Sequence, residues 1–238
     1  MTSALAFSPG LGALAPWPLF TRAARHWLAG VRACWPPPAL GNPVTELRID
    51  VMLPLVDGEL EAIYERLCQP GNRLHGLPQR PLHDPQFTLH WREADGEWFA
   101  YVEDRAGRRL AGYVVFNRLV EVDRRTDRRV RSPHARFAPG YQRRGIASAV
   151  YRQVLDQGIH LLSGARQSPG AHGLWNHLAR SHESHYVTIT DAKQLAYLGP
   201  QRPPDAVFDQ RSTRRLLLAN GCSLHAFAQA TRMGGGGA

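Results

Sequence analysis

Residues Phe137 to Ser148, FAPGYQRRGIAS, constrain the fold more than any other stretch of the chain. They read as the end of a strand, a tight basic loop and the first turn of a helix. Ile146, Ala147, Val150, Tyr151, Val154 and Leu155 then recur on one apolar helical face. Gly158 stands where a helix closes through a residue free to take positive φ. A helix opening in Gln-Arg-Arg-Gly aims unpaired backbone N–H groups, a positive dipole end and two guanidiniums at one point. Such a point attracts phosphate.

Gly140 and Gly145 have the glycine spacing of a nucleotide P-loop, but Ile146-Ala147 replace the Lys-Ser/Thr pair that holds phosphate and Mg²⁺. No G-x-G-x-x-G dinucleotide fingerprint is present. A basic turn that merely joins a strand to a helix is the plain alternative. The segment resembles the acyl-CoA loop of the GNAT acyltransferase superfamily, (Arg/Gln)-x-x-Gly-x-(Gly/Ala), met by Gln142-Arg143-Arg144-Gly145-Ile146-Ala147. The resemblance covers about Thr45 to Ala219 and is strong from Arg131 to Leu178. It implies an α+β fold: a mixed, mostly antiparallel central sheet, splayed at the acyl-CoA site and flanked by helices on both faces. It further implies acetyl-CoA (acyl-CoA) as co-substrate and an amine as acceptor. The amides near Ala135 and Phe137 would hold the pantetheine arm, and Gln142, Arg143, Arg144, Gly145, Ile146, Ala147 and Ser148 the pyrophosphate. Many family members carry a tyrosine acid where this chain has Trp175, which has no titratable proton and is expected to wall the acyl or acceptor pocket.

Three segments follow from composition. Residues 1–44 lack any acid and are rich in Ala, Pro and Arg, an extension expected to be poorly ordered and dispensable. Residues 45–219 would form the acyltransferase domain, and 220–238 a flexible tail ending in glycines. Leu47 to Leu53 alternates as a first strand, and Asp57 is placed to cap the helix carrying Leu60, Ile63, Tyr64 and Leu67. Asn72 to Asp95 lacks a period and reads as a loop or short helix, with His75, His83 and His90 facing solvent. Trp98–Val102 and Leu110–Leu119 are strands joined at Asp104-Arg105-Ala106-Gly107, and Arg124 to Arg129 reads as a solvated hairpin tip that an acidic partner could meet.

Arg131 to Pro139 is a strand that Pro133 makes irregular or places at an edge; family members carry a bulge there. His160 to Ser163 follows as a parallel strand, and Ser168-Pro169 opens a second helix. His182 and His185 miss the zincin spacing and read as surface residues. Val187–Thr190 and Thr213–Leu218 close the sheet.

His134, on the irregular strand, is the candidate general base; Glu121 and Asp123 are runners-up. No metal site is expected. The formal charge of +9 comes almost wholly from arginine, with Lys193 the only lysine. That uniformity looks like genome-wide habit, so nucleic acid is the weaker of the expected ligands, and the alternatives are a non-catalytic GNAT-fold interaction module or a basic nucleic-acid binder. Cys34, Cys68 and Cys222 make neither a disulfide framework nor a metal spacing, which fits a cytoplasmic protein. No apolar run is long enough to span a membrane. The acceptor and the oligomeric state, a homodimer among the options, stay open.

Overall fold

The computed structural model describes residues 58–235. The expected first strand, Asp57 and the extension 1–44 lie outside them. Helix α1 (Glu59–Cys68) has Gly58 at its N-cap, with φ of 80° and no side-chain cap. It buries Leu60 and Leu67 against Tyr101 and Leu110.

Nine strands form one open, mixed sheet among the described residues: β1 (Gln79–Pro81), β2 (Phe87–Ala94), β3 (Glu97–Asp104), β4 (Arg109–Asn117), β5 (Val130–Phe137), β6 (His160–Leu162), β7 (Ser184–Ile189), β8 (Leu195–Gly199) and β9 (Thr213–Leu217). Their spatial order is β1-β2-β3-β4-β5-β6-β9-β7-β8. Every pair is antiparallel except β5–β6. That single parallel pair is bridged by α3 (Ile146–Leu155), the crossover that a parallel connection requires. The fold is thus α+β, with helices on both faces. Tyr113 of β4 meets the α1 cluster, whereas Phe116, of opposite parity, packs its ring against Tyr151 of α3.

Several expectations are corrected. The stretch read as a loop contains β1 and β2. Phe87 to Trp91 is buried at five successive positions, so both faces are covered and no alternation is left to read. His90 consequently lies on a strand, buried, with Nε2 2.8 Å from Glu103. The arginine-rich tip is instead a short helix, α2 (Arg124–Asp127), whose Thr126 and Asp127 are buried. His182 and His185 are buried rather than superficial, His185 lying 2.7 Å from Glu183 and edge-on to Tyr197. Between the closing strands lie β8 and α5 (Asp205–Phe208).

Residues 224–231, expected within a tail, form α6 (Leu224–Thr231). Its Phe227 joins Val130, Leu162, Val187 and Leu216 in the core, and its ring sits edge-on to His160. His160 accepts from the Ala219 amide through Nδ1, and burial, aided by nearby Arg129, pushes its pKa down to about 4.

Candidate functional site

Strand β5 has two different sides. The Ala138 amide donates to Ala111, which fixes the even-numbered residues of β5 as those that exchange bonds with β4. The His160 amide donates to Arg129, so the odd-numbered residues face β6. Pairing with β6 covers only Val130 and Arg131. The next odd residue is Pro133, which has no N–H to give, and the ladder stops there. Beyond it the amides of Ala135 and Phe137 face a gap with no strand opposite among the described residues. The parting needs no bulge in β5, whose register with β4 runs unbroken from Ser132 to Phe137. This corrects the expectation of a bulged strand.

The chain leaves β5 through a single 3₁₀ turn at Pro139–Tyr141. Arg143 and Gly145 both take positive φ, 58° and 79°. That conformation is natural for glycine and strained for arginine. Gly145 is the N-cap of α3 and offers no side-chain acceptor; the first helical bond is Ala149 to the Gly145 carbonyl. Among the described residues, the amides from Arg143 to Ser148 meet no protein acceptor. A Cβ built on Gly145 would touch nothing within 4 Å, so the space in front of the loop is open.

Residues far away in sequence hold the loop. Tyr141 donates 2.6 Å to Asp104, which also accepts from Gln86 and the Gly107 amide. Burial opposes ionisation of Asp104, but these donors hold its pKa below the usual carboxylate range. Burial and the Asp104 carboxylate in turn raise the Tyr141 phenol. Arg144 donates to Gln86 at 3.1 Å and lies over the Phe87 and Tyr141 rings. Gln142 folds back to donate 2.9 Å to the Phe137 carbonyl, and so braces the loop. Arg143 makes no such contact among the described residues. Asp104 and Gln86 escaped the sequence reading because nothing in spacing relates them to loop residues 37 and 58 positions on.

His134 faces the α1 side, half-buried, beside Arg136. Arg136 Nε donates to His134 Nε2 at 3.3 Å, and its Nη1 lies 3.2 Å from Glu59. Glu59 also accepts 2.6 Å from the Tyr113 hydroxyl, whose pKa is raised by burial and by that carboxylate. Burial, then Arg136, lowers the His134 pKa, with Glu59 opposing. An imidazole accepting at Nε2 carries its proton on Nδ1. Glu59, Tyr113 and Arg136 were not foreseen; only the fold brings α1 over β4 and β5.

The runners-up Glu121 and Asp123 each have partners of their own. Glu121 pairs with Arg214 at 2.9 Å, and Asp123 caps α2 by accepting from the Arg125 and Thr126 amides. In α4 (Pro169–Leu178) Ser168 caps the first turn as expected, but Trp175 is buried edge-on against Tyr151, between helices, rather than walling an open pocket.

The described residues form an open α+β sheet whose central parallel pair parts beside the start of α3, the fold implied by the GNAT resemblance. No protein-family model and no curated protein matches the chain. Among solved structures, the spermidine/spermine N-acetyltransferase SpeG from Vibrio cholerae, in complex with manganese ions, is similar at 20% identity and a TM-score of 0.30. That match spans 53% of this chain and 66% of the other. A chimera of the Vibrio cholerae enzyme with hSSAT is similar at 16% identity and a TM-score of 0.31, over 70% of this chain and 93% of that one. Among the described residues no helix is long and apolar enough to cross a membrane.

Proposed function

We propose that this chain is an acyl-CoA-dependent N-acyltransferase that moves an acetyl or similar acyl group from acetyl-CoA to an amine. The observation that carries the reading is the parting of β5 from β6 at Pro133, continuous with a loop whose amides have no acceptor among the described residues. The outward amides of Ala135 and Phe137 are spaced to hold an extended amide-bearing arm as a strand would. The amides of Arg143 to Ser148, with the Arg143 guanidinium, suit a diphosphate. Bound there, the coenzyme would supply an activated thioester carbonyl.

Much of the rate would come from alignment, since holding two reactants in line can supply about 7–11 kcal/mol of the barrier. His134 would take the acceptor's proton. Its lowered pKa keeps it neutral at neutral pH, and the 3.3 Å contact from Arg136 is long enough to yield its lone pair. Glu59 would hold Arg136 aside and offer negative charge to a cationic amine. The tyrosine acid usual in the resembled family has no counterpart at Trp175, so solvent or the acceptor itself would return the proton to the thiolate.

Thiol release from acetyl-CoA with a panel of small amines, polyamines, peptide N-termini and protein lysines tests the reading. Amine-dependent release supports it. Binding of acetyl-CoA without release from any amine would favour a non-catalytic module, the reading that the core position of Trp175 keeps open.

A further inference from the structure

A second cluster of arginines lies at the other end of β5. Arg124, Arg125, Arg128 and Arg129 line, with Ala230 of α6, a cavity of about 730 Å³. All four are exposed. Among the described residues none has a carboxylate within ion-pair distance. With Phe137 eight residues beyond Arg129 along β5, at ~3.3 Å each, the cavity stands roughly 25 Å from the Phe137–Ser148 loop.

The frame beneath these arginines is unusually fixed for a short surface helix. Both acids of the segment are engaged by backbone amides. Asp123 accepts from the Arg125 and Thr126 amides at 2.8 Å. Asp127 is buried, accepts 2.9 Å from the Leu119 amide and binds Arg118 at 2.8 and 3.0 Å. The Asp123 amide is itself tied to the Lys193 carbonyl, and the Arg129 carbonyl accepts from His160. The carboxylates that could neutralise the arginines are thus spent on holding the backbone, and four like charges converge on one concavity. The mutual repulsion of these charges is relieved by an anion, and guanidiniums favour oxygens presented in pairs. A single phosphate cannot match four forks, and the cavity volume is that of small-molecule sites rather than of one ion.

We propose that this cavity is a binding site for a small, multiply phosphorylated molecule, separate from the loop at the other end of β5. It does not depend on the acyltransferase reading. The test uses the full chain carrying Gly145→Glu, which puts bulk and negative charge in front of the loop amides, with inorganic tripolyphosphate as probe in calorimetry at about 0.15 M salt. Saturable binding of one equivalent is expected, about tenfold or more tighter than orthophosphate. It should weaken by a further tenfold or more on adding Arg125→Ala and Arg129→Ala, with an unchanged melting temperature. Three results would overturn the proposal: no saturable binding at that salt, binding indifferent to the second pair of substitutions, or a single-stranded RNA oligomer binding through the same arginines while tripolyphosphate does not.

Discussion

The two ends of β5 are both rich in arginine, yet they are built on opposite plans. At the start of the strand the backbone of α2 and its flanks is tied at Leu119, Asp123, Arg125, Thr126 and Arg129, through Asp123, Asp127 and the His160 contact, and the arginine side chains are left to act. At the end of the strand the side chains of Tyr141, Gln142 and Arg144 are spent on bracing, and the backbone amides are left to act. Arginine density therefore says little about how an anion would be held. A site made of amides is fixed in geometry and tolerates side-chain change except where bulk enters it. A site made of guanidiniums depends on each side chain and on salt.

The sharpest way to break this contrast is Gly145→Glu. The substitution forces a side chain into positive φ and sets a carboxylate where the diphosphate would lie, so that it competes for the amides and repels the ligand at a cost of several kcal/mol. Acetyl-CoA affinity should fall by near a thousandfold in calorimetry while tripolyphosphate binding at α2 persists. Unchanged CoA affinity would remove the loop from the site.

Asp127→Ala attacks the other end. It strands the Leu119 amide and frees Arg118, at a cost of about 3 kcal/mol in urea unfolding. Because α2 loses its anchor, tripolyphosphate affinity should fall with it, whereas CoA affinity should not. A loss of stability below 1 kcal/mol would show that the frame is not what fixes these arginines.

His134→Gln probes the chemistry beside the parted strands and should lower kcat/KM about a hundredfold, with acetyl-CoA affinity nearly unchanged. The sign of the pH effect follows from the lowered pKa. The imidazole must be neutral to accept a proton, so wild-type kcat/KM should fall as pH drops through a value below about 6.5, and should not fall between there and neutrality. In the variant that acid limb should vanish. An acid limb that survives in His134→Gln would assign the titrating group elsewhere.

The helix after the loop was legible because its apolar period and Gly158 are local, and Ser168-Pro169 marked α4 for the same reason. Strand β2 was illegible because burial on both faces erases alternation, and its histidine was therefore misplaced. The α2 segment looked solvated because its charges are counted in sequence, whereas the inward turn of Asp127 toward Arg118 is a matter of fold. The same holds at the candidate site. Gly145 and its neighbours announce themselves in six residues, but Asp104, Glu59 and Tyr113 reach theirs from 37 to 77 residues away. Pro133 was legible as an obstacle to pairing, though not which of its two neighbours it would turn away.

That last point yields the smallest and most specific expectation. Pro133 lies at a position whose N–H would point to β6, so Pro133→Val restores one donor where the parallel ladder now stops. One regained ladder bond is worth about 0.5–1.5 kcal/mol, and loss of the proline's restraint on the unfolded chain takes back about 0.4–1 kcal/mol. Net stability should therefore change little. The gap should nonetheless narrow from its base, because pairing at residue 133 brings β6 toward Ala135. Acetyl-CoA affinity should weaken about five- to tenfold, and amide exchange at position 133 should become protected. If affinity stayed constant while protection appeared, the parting would be set by the loop and α3 rather than by the proline, and the division of labour along β5 would have to be redrawn from its other end.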